Sequence, residues 1–314
     1  MTTKRTIAIM GANSQIARCL TEFYAPQPDV RLVLFSHRPE LTRNFLEQRR
    51  LAAAVYDGYQ QFSDCRFDLL LNCVGAGTPT ALQNNYLSWF EILEGYDNLA
   101  LSQLREKCPQ ALYVNFSSGA VYGRRKQEPA REKSCNCIEV NNITPSEYYA
   151  LIRLNAEAKH RAHAALRIVD IRIFSFFCRH TPPDAGYFLS DILRSLRSGT
   201  ALRTSPAEMM RDYIHPDDLC ALIELCSQQG SLNRAFDAYS ADPCCKSEIL
   251  SLFQREFGLH YEYASINDGP NDACDVYYST HHTAAELGYR PRFTSLAGLR
   301  QEMVCALENH IQQK

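Results

Sequence analysis

The sequence predicts an α/β protein in which a doubly wound parallel sheet is followed by a smaller, mostly helical C-terminal lobe. Two observations predict this fold. Short apolar runs alternate with amphipathic segments through the first half of the chain, and strand-like runs become scarce after residue 175. Such alternation is typical of parallel sheets, because each strand needs a crossover helix to reach the next one. With 314 residues, 46% of them hydrophobic, the chain is large enough for both parts.

The predicted strands of the first half are residues 6–10, 31–35, 52–56, 69–74, 112–116 and 167–174, and the fourth is apolar enough to be buried on both faces. Helices are predicted at 15–24, 88–107 and 146–165, and the polar stretch 123–145 predicts a loop. Further helices are predicted at 187–198, 216–228, 246–256, 281–287 and 294–312. We therefore expect a first domain over residues 1–175 and a second over 176–314, with some interleaving of their segments.

Charge and composition exclude several classes of partner. The net charge of −2 and the pI near 6.5 give no global attraction to nucleic acid or to an anionic membrane. No apolar run reaches the roughly 18 residues of a membrane span, and the N-terminus lacks the apolar core of a secretory signal. We therefore expect a cytoplasmic protein with neither nucleic-acid nor membrane partners.

No metal site is predicted. The thirteen cysteines are scattered and show no zinc-ligand spacing, so we interpret them as reduced thiols. His160 and His163 share one face of a predicted helix, without a carboxylate in register, and we expect that face to be solvated.

A dinucleotide-binding turn is predicted where the first strand meets the first helix, in the segment GANSQIA of residues 11–17. Glycine permits the tight turn and close backbone approach, and the helix N-terminus then faces the pyrophosphate. Only the first glycine of the GxxGxxG pattern is present, but small residues stand at the other two positions. Because the turn opens a βαβ pattern, we predict a Rossmann-type fold. The cofactor-binding residues assigned to this turn are Gly11, Asn13, Ser14, Gln15 and Ile16.

The end of the second predicted strand bears on the choice of cofactor. It reads Ser36-His37-Arg38, without the acidic residue that bonds the ribose hydroxyls of NAD. Hydroxyl and basic side chains suit the 2′-phosphate of NADP, although Arg38 also fits a solvated surface arginine. The sequence therefore favours NADP, with NAD as the alternative. The cofactor contacts predicted after the third and fourth strands are Asp57, Gly58, Cys73, Val74 and Gly75.

Four segments, in order along the chain, resemble the extended short-chain dehydrogenase/reductase family of the NAD-dependent epimerase/dehydratase type. This family includes UDP-galactose 4-epimerase and nucleotide-sugar 4-ketoreductases. Residues 115–123, NFSSGAVYG, resemble its serine run followed by VYG, and residues 149–157, YALIRLNAE, resemble its YxxxK helix. Residues 211–219, RDYIHPDDL, are similar to its RDYIHVDDL segment, and residues 285–291, AELGYRP, are similar to its ELGWRP segment.

The resemblance implies a catalytic role for Ser118, Tyr149 and Arg153. Tyr149 would act as the acid/base, while Ser118 bonds the substrate oxygen and hydride moves between the substrate carbon and the nicotinamide. A cation one helical turn from a phenol lowers the pKa of that phenol. The family's lysine is replaced here by Arg153, which keeps the positive charge but cannot lose its proton. The resemblance also places Ser117, Tyr149, Arg153 and Phe174 beside the cofactor.

Substrate contacts are implied at fewer positions. Arg211 matches a family residue suited to a diphosphate, although a salt bridge to Asp217 or Asp218 is equally expected. Ser175 stands where the family often has a substrate-binding asparagine, and residues 269–272 fall where epimerases carry an arginine. A nucleotide sugar is thus the implied substrate class. The resemblance further implies a homodimer formed through the Tyr149 helix and its neighbour.

Three functions remain open at this point. The first is an NAD(P)-dependent epimerase or ketoreductase, because residues 119–120 are Gly-Ala and not the acidic pair that family dehydratases use. The second is a catalytically weak dinucleotide-binding protein with a regulatory or scaffold role, which Arg153 favours. The third is a reductase of small carbonyl metabolites.

Overall fold

A seven-stranded parallel sheet forms the centre of the computed structural model, which describes residues 4–75, 85–123, 127–264 and 274–311. The strand order is β3-β2-β1-β4-β5-β6-β9, so the chain reverses direction across the sheet between β1 and β4. In α/β sheets such a switch point opens the crevice in which ligands bind. The strands are β1 (Arg5–Met10), β2 (Val30–Ser36), β3 (Ala54–Asp57), β4 (Leu69–Asn72), β5 (Leu112–Ser118), β6 (Arg167–Ile173) and β9 (Asn233–Asp237).

Eight α-helices are described, and helices cover both faces of the sheet, which confirms the predicted doubly wound fold. They are α1 (Gln15–Tyr24), α2 (Pro39–Arg49), α3 (Tyr86–Glu106), α4 (Pro145–Ala162), α5 (Phe188–Ser198), α6 (Pro216–Ser227), α7 (Lys246–Phe257) and α8 (Ser295–Ile311). The side chains of β1 alternate between two buried clusters. Ile7 and Ile9 pack with α1 and α6, whereas Ala8 and Met10 pack with α3. The sheet is therefore buried on both faces, as parallel sheets require.

The chain beyond residue 175 adds two small sheets to the predicted helices. A three-stranded sheet has the order β10-β8-β12, and a pair joins β11 to β7. Their strands are β7 (Leu202–Thr204), β8 (Met209–Arg211), β10 (Cys244–Cys245), β11 (Tyr261–Tyr263) and β12 (Asp275–Tyr277). Each of these strands spans only two or three residues, which is too short for an alternation of apolar and polar residues to be recognised in the sequence. The helix predicted at 281–287 is a 3₁₀ turn at Thr283–Leu287.

Two elements of the main layers were not predicted. Helix α2 carries few apolar residues, and its buried side chains are only Pro39, Thr42, Phe45 and Leu46. Strand β9 lies far along the chain, yet it pairs in parallel with β6 from Ile168 to Arg172. Segments from beyond residue 175 thus complete the large sheet, while the boundary at 175/176 itself stays a prediction. No helix in the described ranges is both long and apolar enough to cross a bilayer.

His160 corrects the expectation of a solvated histidine face. Its imidazole is fully buried, with Nδ1 2.8 Å from Asp170 and Nε2 2.7 Å from Asp97. Burial lowers the pKa of His160, but hydrogen bonds and charges from Asp170 and Asp97 outweigh it and raise that pKa to about 9. The two carboxylates come from β6 and α3, so the helix sequence alone gives no sign of them. His160 is therefore an imidazolium that ties α4 to both elements.

Candidate active site

The turn after β1 has room only for glycine at its first position. Gly11 has a φ of 71°, and a Cβ there would lie 2.9 Å from the backbone of Cys73 and Val74 at the end of β4. Ser14 caps the following helix, its Oγ accepting the Ala17 amide at 3.2 Å. The β1 turn and the β4 end are thus in backbone contact across the switch point.

The same turn fits the pyrophosphate of a dinucleotide. Gln15 and Ile16 form the start of α1, where backbone amides have no acceptor within the helix and the helix dipole favours an anion. The Gln15 side chain points elsewhere, since its Oε1 accepts the Thr181 hydroxyl at 2.6 Å. Backbone groups of the first turn, and not the Gln15 amide, are therefore the ones suited to hold a phosphate.

Asn13, Ser36 and Arg38, three residues predicted to bind the cofactor, lie together at the end of β2. The Asn13 side-chain amide donates to Ser36 Oγ at 2.7 Å and to the Arg38 carbonyl at 3.0 Å. Ser36 Oγ also accepts the Arg38 backbone amide at 3.0 Å. Asn13 and Ser36 thus shape this corner through mutual bonds, which leaves the exposed Arg38 side chain as its available cation.

An aromatic group lies beside that corner, and sequence reasoning missed its central member, Tyr59. The Tyr59 hydroxyl accepts the Gly11 backbone amide at 2.9 Å. Its ring packs against His37 and Tyr96, with centroids 5.1 and 4.6 Å away, and His37 also hydrogen-bonds the Tyr96 hydroxyl. The only sequence signal was the position of Tyr59 just after the third strand, next to the predicted contacts Asp57 and Gly58. Asp57 is exposed, and the Gly58 amide donates to the Ser36 carbonyl at 2.8 Å.

Ser118 ends β5 and lies at the far side of the crevice. Its Oγ accepts the Ala120 amide at 3.2 Å and lies 3.1 Å from the hydroxyl of Tyr277 on β12. A Cβ on Gly119 would come within 2.3 Å of the Phe174 ring, so only glycine lets Phe174 pack beneath this turn. Tyr277 was not predicted, because it meets Ser118 from a position 159 residues later in the chain.

Tyr149 and Arg153 lie one turn apart on α4, whose start is fixed by a bond from the Thr144 amide to Glu147 at 2.7 Å. The guanidinium carbon of Arg153 is 5.2 Å from the centre of the Tyr149 ring. Arg153 is buried, and its Nη1 donates to the Phe116 carbonyl at 3.0 Å. A Cβ on Gly75 would lie 3.2 Å from Arg153 Nη2, so this cation lies between the tyrosine ring and the loop after β4.

A second phenol lies close to Tyr149. Tyr187 precedes α5, and burial together with the neighbouring Tyr149 raises the pKa of Tyr187 to about 12. The Tyr187 phenol is therefore neutral at physiological pH. Helix α5 thus brings a further hydroxyl from the C-terminal half toward the tyrosine of α4.

A buried polar network supports the end of β5. Ser117 Oγ donates to Glu157 at 2.6 Å, and Arg172 Nη2 donates to the same carboxylate at 2.6 Å. Arg172 Nη1 donates to the Tyr122 hydroxyl at 2.6 Å, which in turn donates to Asp237 at 3.0 Å. The Ser117 side chain is therefore directed into this network, and its contact with a cofactor stays a prediction.

Arg211 is paired, but with an acid that the sequence did not indicate. Its Nη2 lies 2.5 Å from Asp275 Oδ2, and its guanidinium lies over the Tyr277 ring at 5.7 Å. The two acids expected from the sequence, Asp217 and Asp218, instead lie 3.3 and 3.6 Å from Arg292. Arg211 therefore borders the same crevice as Ser118, through Tyr277.

Ser175 takes a backbone role. Its carbonyl accepts the Ile214 amide at 3.3 Å, and it forms a parallel bridge with Tyr213. The segment 269–272, where an epimerase arginine is expected, lies outside the described residues. Among the described residues, no group of three His, Cys, Asp or Glu side chains is arranged to hold a metal ion.

Comparison with known proteins gives a consistent set of relatives. The model of the NAD dependent epimerase/dehydratase family matches residues 7–240. The chain is 24% identical over 265 residues to a UDP-glucose 4-epimerase of Cyamopsis tetragonoloba, covering 74% of this chain and 70% of that protein. It is 23% identical over 258 residues to a bifunctional UDP-glucose and UDP-xylose 4-epimerase of Pisum sativum, covering 74% and 71%.

Solved structures share the fold over nearly the whole chain. A UDP-glucose 4-epimerase from Stenotrophomonas maltophila, with bound NAD, superposes with a TM-score of 0.80 at 16% identity, covering 99% of this chain and 100% of that one. A UDP-glucuronic acid 4-epimerase from Bacillus cereus gives 0.78 at 14% identity, covering 97% and 99%. A dTDP-glucose 4,6-dehydratase from Bacillus anthracis gives 0.77 at 15% identity, covering 98% of each. The similarity in fold to these structures therefore includes the C-terminal half of the chain.

Proposed function

The chain belongs to the NAD dependent epimerase/dehydratase family, and from this we propose that it is an NAD(P)-dependent oxidoreductase of the nucleotide-sugar epimerase or ketoreductase type. The observation that carries the proposal is the buried cation of Arg153, held 5.2 Å from the Tyr149 ring beside Gly75 at the cofactor crevice. A phenol next to a fixed cation is suited to take up and release a proton.

Each residue of the site has a distinct part in this reaction. A bound nicotinamide supplies the hydride chemistry. Tyr149 takes the proton from the sugar hydroxyl in oxidation and returns one in reduction. Ser118 bonds the same oxygen and orients it, while Arg153 stabilises the phenolate without losing its own proton. Gly119 and Ala120 follow Ser118 where dehydratases use acidic residues, so we do not assign water elimination to this site.

A nucleotide sugar is the proposed substrate class. The two relatives compared by sequence are UDP-sugar 4-epimerases, and one of the solved structures is a UDP-glucuronic acid 4-epimerase in complex with UDP-glucuronic acid and NAD. Arg211 supplies a positive charge at the crevice for a diphosphate, provided that the phosphate replaces its partner Asp275. We assign Arg211 and Ser118 as substrate contacts. We propose that Ser175 contributes through its backbone to the wall of the substrate site.

NADP is the proposed cofactor, with NAD as the alternative. Ser36 and the exposed Arg38 stand where an acidic residue would bond the ribose of NAD. Several solved relatives hold NAD, which is the observation that favours the alternative. The identity of the cofactor helps to distinguish epimerisation from ketone reduction. An epimerase regenerates its cofactor in each cycle, whereas a ketoreductase consumes a reduced one.

Titration with NADPH and NADH, followed by nicotinamide fluorescence, tests the proposal. We expect tighter binding of NADPH, lost on Arg38→Ala. Arg31→Ala is the matched control, since Arg31 is exposed on the same strand β2 but near its other end. Tighter NADH binding that is indifferent to Arg38→Ala would assign NAD and favour epimerisation. Binding of neither nucleotide would overturn the proposed enzyme.

We also propose that the protein forms a homodimer and that it is located in the cytoplasm. Leu87 and Ile92 on α3 are 72% and 40% exposed, and α3 lies beside α4 on one face of the sheet. Exposed large apolar side chains on α3 favour a subunit interface at this helix. Light scattering that gives the 35.7 kDa mass of a single chain would contradict the dimer, and cell fractionation tests the location.

A further inference from the structure

The ring of Tyr59 fills the space between the β1 turn and the end of β2. Its hydroxyl accepts the Gly11 amide at 2.9 Å, and its ring is stacked on Phe35 with centroids 5.8 Å apart. Gly11 belongs to the turn and Phe35 to β2, so the side chain bridges two neighbouring strands at their carboxyl ends. Tyr59 itself comes from the segment after β3.

A dinucleotide needs the same space. In folds of this kind the adenosine half extends from the turn after β1 to the end of β2, where a side chain bonds its ribose. In this chain those two places are Gly11 and Ser36, and the β2 end is flanked by His37. Tyr59 touches the first through its hydroxyl and packs against His37, with ring centroids 5.1 Å apart. The phenol therefore lies on the path expected for the adenosine half of a dinucleotide.

Tyr59 is held there by packing as well as by its hydrogen bond. Phe35 lies on one side of the ring, and Tyr96, on α3, has its ring centroid 4.6 Å away. Burial is the main cause that raises the pKa of Tyr59 well above its ordinary value, so the phenol stays neutral and acts as a neutral hydrogen-bond acceptor. A backbone amide has a single proton to donate, so Gly11 cannot bond Tyr59 and a ligand at full strength together.

We propose that the Tyr59 hydroxyl competes with the adenosine half of the cofactor for the Gly11 amide, so that a dinucleotide binds only by displacing it. The inference rests on the proposed function, because it presumes a dinucleotide in this crevice. Its consequence is a lowered affinity for whole dinucleotides. The affinity for a ligand that lacks adenosine is expected to be unaffected, because such a ligand does not extend to the end of β2, where the Tyr59 ring packs against His37.

The experiment compares Tyr59→Phe with the wild type in direct binding. The phenylalanine keeps the ring against Phe35 and Tyr96 but removes the competing hydroxyl. NADPH and NADH are titrated by nicotinamide fluorescence, and reduced nicotinamide mononucleotide serves as the ligand without adenosine. Tyr96→Phe is the matched control, because it removes a phenol of the same aromatic group that bonds His37 and not Gly11. Thermal unfolding of each apoprotein checks that the variants fold.

Tyr59→Phe is expected to bind both dinucleotides about two- to tenfold more tightly, the range for losing one competing neutral hydrogen bond. Its affinity for reduced nicotinamide mononucleotide should match that of the wild type, and Tyr96→Phe should show no gain. Unchanged or weaker dinucleotide binding by Tyr59→Phe, with a wild type that binds, would overturn this inference alone. Absence of binding by the wild type and by Tyr59→Phe would overturn the proposed function and this inference with it.

Discussion

The hydroxyl of Ser118, at the end of β5, lies 3.1 Å from the hydroxyl of Tyr277, at the end of β12. The Ser118 oxygen also accepts the Ala120 amide at 3.2 Å. A serine hydroxyl has one proton and two acceptor positions. If Tyr277 donates to the second acceptor position, the proton of Ser118 is left for a substrate oxygen. Tyr277 then positions Ser118 as a donor.

Replacing Tyr277 by phenylalanine should therefore impair turnover more than binding. The ring that packs between Phe174 and Arg211 remains, but the bond that orients Ser118 is lost. We predict a fall in kcat of about tenfold, equivalent to about 1.4 kcal/mol, with the affinity for the dinucleotide unchanged. Steady-state kinetics measure this, with Tyr278→Phe as the neighbouring control. An unaltered kcat would show that the function of Ser118 does not depend on a hydrogen bond from Tyr277.

Tyr149→Phe should abolish most of the activity. Loss of a positioned acid/base costs about 10²- to 10⁴-fold in turnover. Since the ring and its contact with Arg153 persist, we expect nucleotide binding to stay within about twofold of the wild type. Single-turnover reduction of the nicotinamide, together with fluorescence titration, separates the two effects. A variant that keeps wild-type turnover would remove Tyr149 from the proton transfer.

Arg153→Lys should lower activity, although it restores the residue of the family motif. The guanidinium bonds the Phe116 carbonyl and fills the space beside Gly75, and a lysine has one nitrogen in place of this planar fork. We predict about a tenfold loss of kcat and a destabilisation of about 1 kcal/mol, measured by kinetics and by denaturant unfolding. A large gain in turnover would instead identify a decayed enzyme, in favour of the regulatory alternative.

Substitutions at Arg211 and Asp275 should act on substrate affinity in opposite directions. Arg211→Met removes the cation from the crevice, and we predict that KM for a nucleotide sugar rises about tenfold, with kcat within about twofold. Asp275→Asn removes the charge that competes for Arg211, so KM should fall. Both values come from the same steady-state assay. A rise of KM in both variants would mean that the ion pair has a structural role only.

His160 should make stability depend on pH. Its pKa is raised to about 9 in the folded protein from an ordinary value of 6.5, so the folded state holds the proton more tightly. The stabilisation is complete below about pH 6.5 and is lost as the pH rises through 9. We predict a loss of up to about 3 kcal/mol in the free energy of unfolding over this interval.

Urea denaturation at several pH values measures that loss. His160→Gln should remove most of the slope, because no titrating imidazole then lies between Asp97 and Asp170. His163→Gln is the control, since His163 follows directly after α4 and its described hydrogen bonds are made by its backbone. Equal slopes in the wild type and His160→Gln would assign the pH dependence to other groups.

The sequence predicts the parts of this molecule that depend on neighbours along the chain. Strand β1 is marked by its apolar run, and the tight turn at Gly11 by its position after that run. The pairs that define the site are long-range: Tyr277 meets Ser118 across 159 residues, and Asp275 meets Arg211 across 64. Local periodicity carries no information on such pairs, so the nearer acids Asp217 and Asp218 were the expected partners.

The three glycine positions of the predicted dinucleotide-binding turn are not equivalent in this chain. At Gly11 an added methyl group would overlap the backbone at the end of the adjacent strand, and a backbone cannot move aside as the end of a flexible side chain can. The residues that replace the other two, Ser14 and Ala17, carry a Cβ that α1 tolerates, and Ser14 even gains a helix cap from it. A search demanding the complete three-glycine signature would pass over this protein. The close approach of the β1 turn to the end of β4 therefore decides which glycine of that signature is indispensable.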